Sequence, residues 1–482
     1  MKTMKKIITP LALAMVLTGC ISLAPTYERP AAPVAPAFPV PPTPDGAAPV
    51  SAATSEAASS IAWQRFFADQ RLQQLIALAL DNNRDLRVAI LNIEQARATY
   101  RIRRADLLPT VGLGATGTIQ RGPDAYQAGL QVSAFELDFF GRVRSLSNAA
   151  LAQFLATEEA RKTTQISLIA QVASTYLAFQ ADEELLALTR QTLKTREDSQ
   201  RLTQLKYDNG IVSKLDLDQS LSLVETARVV LAQQLRQRAQ DANTLTQLVG
   251  SPIPDTLAPG VALADTNLAE LPPGLPSDLL TVRPDIRSAE QQLIAANANI
   301  GAARANFFPS ISLTGIAGSA SNELNGLFKG GSYGFTFTPT ISLPIFDYGR
   351  NQANLENARA SRDVAVAQYE KSIQVAFREV ADALAGQSTY TEQLRAQRAV
   401  AESETDRFNL SDLRYRSGAA SYLDLLDAQR SLFDAQRSSV EANLARLQNQ
   451  VTLYRVLGGG WTMPATAATA ANAATTTNPS RQ

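Results

Sequence analysis

Between residues 332 and 346 the chain alternates in a regular way. Tyr333, Phe335, Phe337, Pro339, Ile341, Leu343 and Ile345 share one parity, and Thr336, Thr338, Thr340 and Ser342 take the other. A period of two is that of a strand with two unlike faces, one aromatic and aliphatic, the other hydroxyl-rich. A fainter version sets Ala128, Leu130, Val132 and Ala134 against Gln127, Gln131 and Ser133. Elsewhere the pattern is helical. From Arg142 to about Tyr207, and from Arg350 to about Tyr415, no proline occurs, and Gly386 is the only interior glycine. At ~1.5 Å per residue each stretch would reach roughly 100 Å if straight. Leu426, Phe433, Val440, Leu447 and Tyr454 recur every seven residues, as do Leu217, Val224, Leu231 and Leu245, interrupted by Arg238. That is coiled-coil spacing with one of its two seam positions consistently apolar.

These elements occur twice. Residues 85–113 align to 285–313 without a gap and share Asp85/Asp285, Arg87/Arg287, Arg104/Arg304 and Pro109/Pro309. From Gly141-Arg142 and Gly349-Arg350 onward the offset is 208, and it holds to Gly250 and Gly458. Long packed helices demand such gap-free matching, since one inserted residue turns everything beyond it by ~100°. Each half therefore reads helix, strand, strand, helix, helix. The first repeat is placed at 61–250, with strands at about 110–120 and 126–139 and a helical-hairpin tip at 208–214. The second is placed at 279–460, with strands at about 310–321 and 332–346 and a tip at 416–422. Residues 251–278 join them, in what would be the equatorial region. Residues 20–60, rich in Pro and Ala, read as an extended strap, and 461–482 as a disordered tail.

The tips carry the most repeated chemistry. Tyr207, Gly210, Ser213, Leu215, Asp216 and Leu217 return as Tyr415, Gly418, Ser421, Leu423, Asp424 and Leu425. Gly210 and Gly418 suit the left-handed position that ends a helix. Ser213 with Asp216, and Ser421 with Asp424, have the spacing of a capping box, serine at the N-cap and a carboxylate three residues on. Capping leaves Asp427 unexplained. It lies three residues beyond Asp424 on the same helical face, in only one of the two tips. Were several copies to ring an axis, Asp424 and Asp427 would stack as acidic rings that favour cations and resist closure unless Arg416 or bound cations compensate. A solvated helix surface is the plainer account of the same residues.

Composition narrows the function. Lys plus Arg equals Asp plus Glu at 45 each, so no global charge points to nucleic acid. Histidine is absent, which removes the commonest general base and metal ligand. Gly112, Gly114 and Gly117 formally match a dinucleotide-binding fingerprint but lie in a strand region and open no helix. No enzyme, cofactor or metal site is expected. The single cysteine, Cys20, ends "MKTMKKIITPLALAMVLTGC". A basic start, a short apolar run and small residues read as an export signal over 1–19. Leu17-Thr18-Gly19-Cys20 resembles the bacterial lipobox, which makes Cys20 the lipidated first residue of the mature chain; an ordinary signal with a stray thiol is the alternative. Ile21, where an aspartate would retain the protein, points to the outer membrane. No other apolar run approaches the ~18 residues of a spanning helix. Alternation alone fits a half-buried soluble sheet equally well, but export, lipidation and the lack of a spanning helix select membrane strands. Two strands per half make four, and small closed barrels need about eight. Copies of the chain must therefore pool their strands; the count favours neither two copies nor three.

The stretches "LTGC", "WQRFFADQRLQQLIALALDNNRDLR", "AFELDFFGRVRS", "LPSDLLTVRPDIRSAE", "ANANIGAARANFFPSISLTG", "YRSGAASYLDLLDAQRS" and "LYRVLGGGW" resemble the outer-membrane efflux protein family, the TolC-like channels, and within it the lipidated multidrug branch. The resemblance covers about residues 20 to 460. It implies a mainly α fold with a membrane β-barrel: a homotrimer with a twelve-stranded barrel on a long α-helical barrel, lipid-anchored in the outer membrane and extending into the periplasm. It implies a passive exit duct engaged by a periplasmic adaptor and an inner-membrane proton-driven pump of the resistance–nodulation–division type. Tyr415 then stands at the closed-state constriction, Asp424 and Asp427 match paired aspartate rings, and Asp216 a carboxylate of the inter-helix links. Gly210, Ser213, Leu215, Gly418, Ser421 and Leu423 resemble the adaptor-docking surface. The family's best-known member has an arginine two residues after the tip glycine; Ala420 stands here, which leaves Arg416 to substitute or the closure looser. Toxic small organic molecules are the expected cargo. The alternatives are metal-ion efflux, type I protein secretion, or a non-conducting lipid-anchored coiled-coil scaffold.

Overall fold

The computed structural model describes residues 22–39, 58–269, 271 and 276–461. The signal segment, Cys20 and nearly all of the expected tail lie outside them. The chain divides into two compact units, Met1–Pro33 with Ala89–Ala160 and Asp285–Ile373, and Val34–Val88 with Arg161–Pro284 and Gln374–Gln482.

The first unit holds one antiparallel sheet, β1 (Val111–Thr118), β2 (Ala125–Glu136), β3 (Ser310–Ser321) and β4 (Tyr333–Ser342), in the order β1-β2-β3-β4. Register explains its faces. Leu113, Leu130, Ala317 and Phe335 form one row across all four strands, and Val111, Val132, Gly315 and Phe337 the next. This face exposes Val111, Leu113, Leu130, Tyr333, Phe335, Phe337 and Ile341. β4 stops at Ser342, so Leu343 and Ile345 continue the alternation outside the strand, where Pro344 has no N–H to pair.

Parity alone placed Ala134 with Leu130 and Val132. The structure corrects this. The register shifts between Val132 and Phe135, and Ala134 takes a φ of 50°. The bulge moves Phe135, not Ala134, onto the apolar face, opposite Leu313 and thence Pro339. On the other face, Gly114, Gly129, Gly318 and Gly334 form a row of glycines through the whole sheet. A Cβ on Gly318 would lie 2.2 Å from the Ala128 carbonyl oxygen, and one on Gly129 2.4 Å from that of Ala317. At Gly129 and Gly318 the two central strands leave no room on this face for any side chain.

Helix α5 (Pro284–Ala305) follows α1 (Gln70–Asn82), α2 (Arg84–Ala105), α3 (Arg142–Asp208) and α4 (Lys214–Val249) in the chain. It packs on the start of α3 through Ala149, Ala152, Ala295 and Ala298, small side chains that bring the two backbones close. Ser288 Oγ donates to the Ala156 carbonyl at 2.9 Å, and Arg287 pairs with Glu159 at 3.0 Å. The strap is fastened along α5. Arg304 donates to the Leu23 carbonyl at 3.0 Å and Asn297 to that of Pro25 at 2.7 Å. Glu290 accepts from Tyr27 at 2.9 Å and from Arg29 at 2.7 and 3.0 Å. Burial against Glu290 pushes the Tyr27 hydroxyl well above its ordinary range.

In the second unit Phe66 and Tyr454 stack at 4.2 Å, and Tyr454 donates to the Ile61 carbonyl at 2.6 Å. Helices α6 (Arg350–Arg416) and α7 (Tyr422–Val456) complete the second helical pair. The heptad residues Leu426, Phe433, Val440, Leu447 and Tyr454 of α7 are all buried. In α4 the corresponding seam is interrupted where Arg238 pairs with Glu183 at 2.5 Å and covers the Phe179 ring. The sheet gives the first prediction. Gly318→Ala is expected to lower the thermal midpoint of the detergent-solubilised protein by more than about 4 °C. Gly315→Ala, also on β3 but with no atom closer than 3.6 Å to the new Cβ, is expected to leave it unchanged. Equal midpoints for the two variants would show that the glycine row is not under steric constraint.

Candidate gating and docking site

Both tips have the same backbone. Gly210 (φ 70°) donates to the Tyr207 carbonyl at 2.8 Å and Ile211 to that of Lys206 at 2.9 Å. Gly418 (φ 77°) donates to Tyr415 at 3.1 Å and Ala419 to Arg414 at 2.8 Å. These paired bonds satisfy the last carbonyls of α3 and α6, and only a residue without a Cβ enters the left-handed turn without strain. Two residues later each serine caps the next helix. The Ser213 N–H and hydroxyl donate to Asp216 Oδ2 at 3.0 and 2.7 Å, and Asp216 N–H donates back at 3.2 Å. Ser421 and Asp424 repeat this at 3.1, 2.8 and 3.3 Å. Both carboxylates thus close capping boxes.

The side chains around this shared backbone differ. Tyr207 is partly exposed, with Lys214 near its ring. Tyr415 is only 5% exposed. Its ring packs 5.5 Å from Tyr422, within a cluster that includes Leu223, Leu425 and Leu426, and Lys206 lies 3.9 Å over its face. The cause is legible in the duplication: Tyr422 stands where the first tip has Lys214, which instead pairs with Asp218 at 2.8 Å. Leu215 and Leu423, at equivalent positions, are 65% and 61% exposed, and Ile211 is 70% exposed. Among the described residues each tip therefore presents uncovered aliphatic side chains.

Within one chain Arg416 does not reach the aspartates it was expected to compensate. Arg416 pairs with Asp412, one turn back in its own helix, at 2.8 Å. Asp427 is held by Arg407 of α6, which also pairs with Glu404 at 3.1 Å. Arg407 was not singled out from sequence, since it stands twenty residues from Asp427 and Ser199 takes its place in the first repeat. The Glu404–Arg407 spacing of three was the available signal. Ala420, at the position of the expected arginine, is half-buried. Among the described residues no group of three or more His, Cys, Asp or Glu side chains is placed to hold a metal ion.

Further along α3, Asp182 is buried against Asp241 of α4, with Glu183 and Arg238 beside them. Burial first, then the Asp241 carboxylate, pushes the Asp182 carboxyl up to about 7. The folded chain binds this proton more tightly than the unfolded chain does. Its contribution to stability is therefore present at acid pH and is lost as pH rises from about 4 through 7. Asp182→Asn is expected to raise the thermal midpoint by several degrees at pH 8 and hardly at all at pH 4.5. A variant whose midpoint moves equally at both pH values would show that the proton is not shared in this way.

The sequence pattern described as "Outer membrane efflux protein" matches residues 75–251 and 275–459. The chain is 48% identical over 471 residues to the antibiotic efflux pump outer membrane protein ArpC of Pseudomonas putida, covering 95% of this chain and 96% of that one. It is equally similar to the toluene efflux pump outer membrane protein TtgC of the same species, at 48% over 471 residues and the same coverage. Among solved structures, the open state of the Neisseria gonorrhoeae MtrE outer membrane channel superimposes with a TM-score of 0.83, at 39% identity, over 92% of this chain and 99% of that one. With two such repeats, a sheet whose outer face is apolar and a match across nearly its whole length, the chain belongs to the outer membrane efflux protein family and is an efflux channel of the outer membrane.

Proposed function

We propose that three copies of this chain pool their sheets into one twelve-stranded barrel and form a passive exit duct for toxic small organic molecules. The sheet carries this reading. Its aliphatic and aromatic face suits lipid, while among the described residues β1 and β4 each have only one partner strand. In hydrocarbon no water can satisfy an unpaired edge, so each edge requires a strand from another copy. Two copies would give a barrel filled by side chains, and three one with a lumen; the resemblance to the family supports three.

The exposed Leu215, Leu423 and Ile211, with the turn residues Gly210, Ser213, Gly418 and Ser421, form the surface on which a periplasmic adaptor docks. An inner-membrane, proton-driven pump delivers the cargo. Relatives whose names state antibiotic and toluene efflux support a small organic cargo. Around a threefold axis, Asp424 and Asp427 would form acidic rings, with Asp216, Tyr415 and Arg416 at the same constriction. Arg407 tempers the charge of Asp427. Lipidation of Cys20 anchors the mature chain.

Light scattering of the intact protein in mild detergent, followed by single-channel recording in planar bilayers, tests this. A mass of three chains and discrete conductance steps are expected; a monomer, or a protein that never conducts, would overturn it. In the same bilayers Asp427→Ala is expected to raise conductance or weaken block by divalent cations more than Asp216→Ala does, because Asp216 is spent on its cap. Indistinguishable variants would return Asp427 to the class of surface charges.

A further inference from the structure

Arg196 of α3 lies within the helical packing about two heptads from the tip and is 5% exposed. Among the described residues no carboxylate forms an ion pair with it. One Nη donates to the Leu223 carbonyl of α4 at 3.2 Å, the guanidinium lies 5.5 Å from the centre of the Phe433 ring of α7, and Nε is buried without a partner. Burial, then the nearby Arg430, holds its pKa below the ordinary arginine range, while Asp434 and Tyr422 pull weakly the other way. The Tyr415 hydroxyl and the Gln429 Oε1, in the tip segments of α6 and α7, are likewise buried without partners.

The second repeat solves the same position differently. Glu404 stands where the first repeat has Arg196, Arg407 where it has Ser199, and Asp427 where it has Gln219. Glu404, Arg407 and Asp427 make an ionic cluster at the surface. In the first repeat the sign is reversed, both partners are gone and the charge is inside. A buried cation without a counter-ion opposes the packing that buries it, and water relieves that penalty as soon as the helices part. The helices that would part are α7 on one side and the hairpin of α3 and α4 on the other, since the guanidinium bonds the Leu223 carbonyl of α4 and lies against the Phe433 ring of α7.

We propose that Arg196 is a positioning residue of the gate: its unpaired buried cation keeps the contact between α7 and the α3–α4 hairpin close to separation, and this contact yields when the duct opens. The proposal rests on the duct reading above. On this proposal the closed duct is the packed arrangement of these helices held near its limit, and a force at the tips parts it without having to break any surface ion pair. Tyr415 and Gln429 act in the same direction, because each gains a hydrogen bond from water on opening.

The test uses the full-length protein in planar bilayers, with thermal melting alongside. Arg196→Met, which keeps the length of the side chain and removes its charge, is expected to lower open probability about five- to thirtyfold and to raise the melting midpoint. Arg196→Lys, which keeps the charge, is expected to open within about twofold of the unmodified protein. An R196M variant that opens as often as the unmodified protein, melts lower, or fails to assemble would overturn the proposal. So would an R196K variant that closes as far as R196M, because shape rather than charge would then be at work. A silent unmodified protein would instead sink the duct reading itself, which separates the two failures.

Discussion

A strand edge in hydrocarbon has nowhere to place its N–H and C=O groups, and most of this chain's architecture follows from that constraint. Each repeat contributes two strands, so the sheet has four, with β1 and β4 left as edges. To continue across a boundary between copies, such a sheet must curve and must keep one face apolar along its whole width. In the row of Gly114, Gly129, Gly318 and Gly334, the two central glycines let neighbouring backbones approach more closely than a side chain would allow, and glycine is where a sheet can bend. The bulge at Ala134 preserves the face, because it restores Phe135 to the side of Leu313 and Pro339 after the register would otherwise have turned it away. Both are local departures from ideal strands that suit a sheet forming part of a closed wall.

The duplication has kept its backbone instructions and spent its side chains. Gly, Ser and Asp recur at both tips because a left-handed turn and a capping box tolerate few substitutes. Positions that do not shape the backbone have diverged: Lys214 against Tyr422, Arg196 against Glu404, Gln219 against Asp427. One tip is thereby consolidated by a buried pair of tyrosines and the other is not. Two hairpins of the same shape consequently differ in how firmly they are held.

The fold class, the strands, the long helices and the caps were legible because each is a local pattern: a period of two, a run without proline, a glycine three residues before a serine. What escaped was pairing between elements. The partner of Asp427 is Arg407, while Arg416 turns back to Asp412. Which arginine reaches which carboxylate depends on the rotation of α6 against α7, and no residue spacing within one helix fixes that angle. The bulge at Ala134 escaped for a related reason, as its only signature is that Phe135 has the wrong parity for an apolar face. The fastening of the strap on Glu290 and the burial of Arg196 likewise join residues far apart in the chain.

Three kinds of charge at the helical tips can now be ranked. Asp216 and Asp424 are engaged by their caps and are tied to helix formation itself. Asp427 and Arg407 form an exposed pair, and such pairs contribute little and are screened by salt. Arg196 is different in kind, because its charge has been taken out of water without a counter-ion. Burying one unpaired charge has a larger energetic consequence than rearranging several exposed pairs. On the proposal made above, the balance between packed and parted helices is set inside the bundle, at a residue with no place in the repeated motif, and the proposed role of the conspicuous aspartates is confined to the field that a passing ion would meet.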